Sequence, residues 1–143
     1  MNEQAERRTL EQERAAFAWD KVQQLKVDLG EKAGDATMYI RRLPAMTFGN
    51  GLGQTLAFLL AQAAGDSNKP AFKVYQILAE WLIRHRQIYA GELDKLIKTI
   101  ADNDRYQYQL AQEEVWALLN WLKKFADAFL PKEGSKLVEN EGK

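Results

Sequence analysis

Apolar residues in this chain recur at steps of three and four along segment after segment, and nowhere do they alternate with polar residues over a convincing run. Steps of three and four put successive side chains on one side of an α-helix, whereas a half-buried strand needs a step of two. β-Branched residues are scattered rather than clustered. The pattern predicts an all-α fold, a compact bundle of five to seven helices with no sheet. No internal repeat or low-complexity tract interrupts it. Residues 1–130 read as a single helical domain and residues 131–143 as a polar, mobile C-terminal tail.

The punctuation divides the chain. Residues 3–29 carry Leu10, Ala18, Val22, Leu25 and Leu29 on one face and stop at Gly30, with Glu3, Arg7 and Glu11 spaced as a solvated charge ladder. Asp35 is placed to cap a second helix in which Ala36, Tyr39, Ile40 and Leu43 share a face, and Pro44 is expected to kink or end it. The run Gly49-Asn50-Gly51-Leu52-Gly53 marks a tight bend. A third helix then turns Leu52, Leu56, Leu59, Leu60 and Ala63 inward and stops at Gly65. Pro70 suits the first turn of a fourth, which buries Ala71, Val74, Tyr75, Leu78, Leu82 and one of Ile88 and Tyr89 before Gly91. Leu93, Leu96, Ile97 and Ile100 make a short fifth helix. A sixth spans residues 105–129 with Tyr106, Leu110, Leu118, Trp121, Leu122, Phe125 and Phe129 on its apolar side, and Pro131 follows it.

The inventory excludes much chemistry. There is no Cys, one His (His85), two Ser and five Thr, so disulfides, thiolate metal sites and a cysteine nucleophile are impossible. The Gly-rich bend fails as a P-loop because Gln54 stands where the lysine belongs, and fails as a dinucleotide fingerprint because Gln54 also replaces the third glycine. His85, between Arg84 and Arg86, follows Leu78 and Leu82 by helical steps, so it reads as a core-edge residue rather than a general base. Carboxylates fall on charge-compensated faces, which gives no reason for a raised pKa. The residues predict no catalytic group, no metal and no cofactor. The longest apolar run, residues 56–61, is far short of the roughly twenty a membrane span requires. With no visible targeting signal, a cytoplasmic chain is expected.

Charge supplies the positive signal. Lys plus Arg and Asp plus Glu both number twenty, yet residues 36–89 hold Arg41, Arg42, Lys69, Lys73, Arg84 and Arg86 against Asp66 and Glu80, a net of +4. A neutral protein can therefore present one basic face. Arg84 has a partner one turn back in Glu80, whereas Arg41 and Arg42 have no acid three or four residues away. Two uncompensated guanidinium forks beside a glycine-rich bend suit phosphate, which accepts from side-chain and backbone N–H groups alike. Trp121-Leu122-Lys123-Lys124-Phe125-Ala126 also mixes rings with cations, although Trp121 and Phe125 fit a core role and Lys123 can pair with Asp127. The candidate nucleic-acid-binding residues are Arg41 and Arg42, with Lys73, Arg84 and Arg86 as neighbours and Lys123 and Lys124 on a separate edge. Four tryptophans, Trp19, Trp81, Trp116 and Trp121, suggest that some meet partner proteins.

Arg42-Leu43-Pro44-Ala45-Met46, then Asn50-Gly51-Leu52-Gly53-Gln54-Thr55-Leu56-Ala57-Phe58-Leu59, then Trp121-Leu122-Lys123-Lys124-Phe125-Ala126 resemble, in that order, the small helical subunits of the type III-B CRISPR effector, the family of the fifth Cmr protein. The likeness spans residues 16–129, with Lys124 where the family would lead one to expect Arg. It implies a non-catalytic subunit that stacks in several copies along the guide-binding backbone subunits, near the large subunit, and touches guide or target RNA through basic residues in antiviral defence. Two other classes stay open. One is a purely structural scaffold in which Arg41 and Arg42 meet acidic surfaces of neighbouring subunits. The other is a stand-alone helical nuclease using His85.

Overall fold

The computed structural model describes residues 8–132, and among these there is no strand. Six α-helices follow one another: α1 Leu10–Leu29, α2 Ala33–Asn50, α3 Leu52–Ala63, α4 Pro70–Glu80, α5 Leu96–Asp102 and α6 Arg105–Phe129. The all-α expectation holds. The ladder built on Glu3 and Arg7, and the tail from residue 133 onward, lie outside the described residues.

Helix α1 begins later than its charge pattern suggests, because Thr9 caps it reciprocally with Gln12: the Gln12 backbone N–H donates to Thr9 Oγ1, and the Thr9 N–H donates to Gln12 Oε1. Gly30, at φ +53, ends it. A single 3₁₀ turn, Gly30–Lys32, leads directly into α2, so the helix starts at Ala33 and Asp35 sits inside its first turn rather than capping it.

Proline does not end α2 either. The helix runs through Pro44 to Asn50. An interior proline costs about 3 kcal/mol or more. Full burial of Ile40 and Leu43, at roughly 1.5–3 kcal/mol each, offsets it.

The chain then reverses at Gly51 (φ +93) into α3, and leaves α3 through Ala64 and Gly65, both with positive φ. Pro70 opens α4 at its first position as predicted. Beyond Glu80 the backbone loosens into a π-helical turn, Trp81–His85, and departs at Gln87 (φ +53), four residues before the expected break at Gly91. Both Ile88 and Tyr89 are buried in the loop that follows.

Helix α6 is the organising element. It packs along α1 on one side and α2 on the other, while α4 closes the core against α2 and α3. Contacts of Arg14 with Glu114 and of Trp19 with Phe129 show α1 and α6 running parallel. Contacts of Thr37 with Pro131 and of Arg41 with Asp127 show α2 running antiparallel to α6, and Leu52 at the start of α3 meets Gln112 earlier on α6. The inward face of α6 is Ala111, Val115, Leu118, Leu119, Leu122 and Ala126. Tyr106 and Leu110, expected on that face, stand in solvent, because α6 extends past the helices that would have covered its first turns. No helix among the described residues is long and apolar enough to cross a membrane.

Candidate nucleic-acid interface

Of the glycines in the bend after α2, Gly51 is there for a packing reason. A Cβ on Gly51 would lie 2.9 Å from Tyr108 Oη and 3.2 Å from Gln112 Oε1. Those two side chains reach across from α6 and accept the first amides of α3: the Leu52 N–H donates to Gln112 Oε1 at 2.9 Å and the Gly53 N–H to Tyr108 Oη at 3.0 Å. Orphan donors at a helix start must be satisfied, and here α6 satisfies them. The expectation that these backbone amides serve phosphate is therefore corrected.

Arg41 is not uncompensated. Its Nε lies 3.0 Å from Asp127 Oδ1 on α6, so the acid that the sequence spacing would give to Lys123 is used by Arg41. Arg41 nevertheless stays 46% exposed. Arg42 points round to α3, donating to Met38 Sδ and lying 5.6 Å from the centre of the Phe58 ring, with no ion pair among the described residues. Lys123 stands one turn before Asp127 on α6 and therefore shares the α2–α6 edge with Arg41 instead of occupying a separate one. Lys124 looks the other way, lining an open depression with Glu11, Arg14, Trp116 and Trp121 between α1 and α6.

The remaining candidates are dispersed. Lys73 lies near Asp28 at the α1–α4 edge. Glu80, expected to hold Arg84, is taken by Lys21 at 2.6 Å, which leaves Arg84 exposed on the π-helical turn. His85 is exposed overall, yet its ring stacks on Trp81 and meets Phe17 edge-on, consistent with a core-edge position.

Arg86 belongs to a second, enclosed charge site that sequence reasoning missed. Glu114 is 3% exposed, accepts from Arg14 Nε and Nη2 at 3.1 and 2.8 Å and from Trp81 Nε1 at 3.0 Å, and has Arg86 Nε at 3.6 Å. Burial alone pushes this carboxyl up. The hydrogen bonds from Arg14 and Trp81, with the charges of Arg14 and Arg86, outweigh it and hold the group below its ordinary value. The carboxylate in turn raises the Arg14 guanidinium. Glu114 thus ties α1, α6 and the turn after α4 together. The only hint in the sequence is an acid at a helical step from Ala111 and Leu118.

What emerges among the described residues is a small helical domain whose polar chemistry divides between one enclosed ionic knot and one open edge of cations and rings. Among the described residues, no group of His, Asp and Glu could hold a metal ion. The profile of the CRISPR-associated protein family Cas_Cmr5 matches residues 10–129, and the chain belongs to that family. The fold is similar to that of the crystal structure of a CRISPR-associated Cmr5 family protein from Thermus thermophilus, at a TM-score of 0.67 and 26% identity, over 87% of this chain and 99% of that one. Family membership assigns the protein to the subunits of the type III-B Cmr complex.

Proposed function

We propose that the protein is a non-catalytic small subunit of the RNA-guided Cmr complex, that several copies stack along the guide-binding backbone subunits, and that each copy touches guide or target RNA through basic residues on the α2–α6 edge. The observation that carries this reading is the open placement of Arg41 and Lys123 on the α2–α6 edge, with Arg42 exposed beside Arg41 on the side of α2 that faces α3, where the guanidinium of Arg42 and the ammonium of Lys123 have no ion pair among the described residues. Lys124 adds a cation on the other side of α6, and Lys73 and Arg84 are outlying contacts. Arg86 is the weakest candidate, because Glu114 engages it.

Phosphate contacts release counterions, so each cation lost should weaken binding of every sequence alike and flatten the salt dependence by roughly 0.7 to 0.9 of a slope unit. A single copy offers few contacts, whereas stacked copies gain through effective concentration along one strand. The double change Arg41→Ala and Arg42→Ala should leave helicity and assembly intact and reduce target capture by the complex. If the variant fails to assemble, and any complex that forms holds RNA normally, the arginines serve neighbouring subunits and the scaffold reading replaces this one. RNA cleavage by the purified chain that disappears in His85→Ala would overturn the non-catalytic role.

A further inference from the structure

We infer that the groove between the end of α2 and the middle of α6 is a stacking platform for an unpaired base of single-stranded RNA, with Phe48 and Trp116 as its faces. The inference rests on the reading that the α2–α6 edge meets RNA, and adds to it a contact with the base rather than the phosphate.

Phe48 is 85% exposed and Trp116 46% exposed. Neither belongs to the ring contacts that tie Trp19, Trp81 and Trp121 into aromatic clusters with Phe17, Phe125 and Phe129. Among the described residues neither has a ring partner, Phe48 being open and Trp116 about half open. Both line one open groove of about 430 Å³, whose other walls are Thr47, Gln109, Gln112 and Glu113.

The chemistry of the walls selects the occupant. A docked apolar helix would bury the Gln109 and Gln112 amides without partners, an unfavourable outcome for polar groups taken from water. A nucleobase has a flat π-face for each ring and an edge of donors and acceptors for each amide. Gln112 Oε1 already accepts from the Leu52 N–H, which leaves its amide nitrogen as the free donor.

Charge sets the orientation. Arg41 stands seven residues before Phe48 on α2, two helical turns or about 10 Å along the same face, and Lys123 stands seven residues after Trp116 on α6. The cations therefore lie beyond the Lys123 end of the groove, while Glu113, three residues before Trp116, is the one charged residue in its wall. A strand would place its phosphates on Arg41 and Lys123, away from Glu113, and its base over Phe48 and Trp116. Asp127, close to Arg41, is neutralised by it.

The test compares the full-length chain binding a short oligouridylate with the same oligomer made abasic at every position, which keeps the phosphates and removes the rings. Binding should weaken roughly tenfold on the abasic strand, the size expected for one stacked base, with the salt slope unchanged. Phe48→Ala should reproduce that loss on the intact strand and show little effect on the abasic one, while Phe48→Trp should bind the intact strand as tightly as the wild-type chain does. Equal affinity for the two strands would overturn the stacking and leave the phosphate reading standing. Loss of binding in the Arg41→Ala, Arg42→Ala double variant with none in Phe48→Ala would do the same. No binding of either strand by the wild-type chain, even at concentrations at which its copies self-associate, would overturn both readings. If Phe48→Ala instead abolishes self-association by light scattering while each remaining complex holds RNA normally, the groove is a contact between proteins and the inference fails.

Discussion

Around Glu114, two arginines and an indole N–H converge on a carboxylate that is almost wholly enclosed. Along the α2–α6 edge, Arg41 holds Asp127 at a similar distance yet stays half exposed and Phe48 stands in solvent, while the neighbouring Arg42, turned toward α3, lies on a thioether and a ring. The residue types are the same and the outcomes differ because of enclosure. An ion pair removed from water is costly to leave half made, so the knot acts as a structural lock between α1, α6 and the turn after α4. A pair left in water contributes little and can exchange its partner for another anion. The molecule thus encloses Glu114 on the α1 side of α6 and leaves Arg41 and Lys123 open on the α2 side.

The largest difference should come from Glu114→Ala, which removes the enclosed anion shared by Arg14 and Arg86, leaving Arg14 only the exposed Glu11 and Arg86 partly open to water, and should cost up to about 3 kcal/mol in urea unfolding. Pairing Glu114→Leu with Arg14→Met should recover much of that loss. An unchanged unfolding midpoint in Glu114→Ala would make the two regions energetically alike.

Acid should open the knot reversibly. The folded Glu114 pKa is depressed, so its contribution is fully present above the unfolded carboxylate value of about 4.3 and is lost as pH falls through the lower folded value. Melting temperature followed across that window should fall less in Glu114→Gln than in the wild-type chain. Identical profiles would remove Glu114 as a source of acid sensitivity.

Gly51→Ala tests the corner from which the open edge is built. With φ at +93 and Tyr108 Oη 2.9 Å from the new Cβ, it should cost roughly 1–3 kcal/mol. Tyr108→Phe in the same chain should relieve the steric part, so that the two losses do not add. Strict additivity would show that the α6 clamp does not constrain this turn.

The smallest effect should be that of Arg41→Ala on stability, within about 1 kcal/mol because Asp127 regains water. A loss as large as that of Glu114→Ala would mean that Arg41 is a structural residue, and would sink the contrast between the two regions.

Local signals decided most of the helical framework. Gly30 and Gly65 stop helices, Pro70 starts one, and α6 begins and ends where the sequence pattern puts it, all through backbone effects confined to a few residues. Where a local rule failed, packing had overridden it. Pro44 stays inside α2 because Ile40 and Leu43 on the same helix are buried, and Asp35 loses the cap because the Gly30–Lys32 turn already begins the next helix. Tyr106 and Leu110 have the right period for a core face, but period cannot report how far a neighbouring helix extends.

The seven candidate cations were legible as cations, and their grouping was not. Spacing along one helix predicted Glu80 with Arg84 and Lys123 with Asp127, but the actual partners are Lys21 with Glu80 and Arg41 with Asp127, each joining two helices. Period and punctuation in the sequence determined that this chain would be a helical bundle, and its order of motifs pointed to its family. Only tertiary packing decided which acids neutralise which bases, that Glu114 is enclosed, and that Phe48 is bare. Charge pairing and burial depend on distances between helices remote in sequence, and those distances exist only once the bundle has closed.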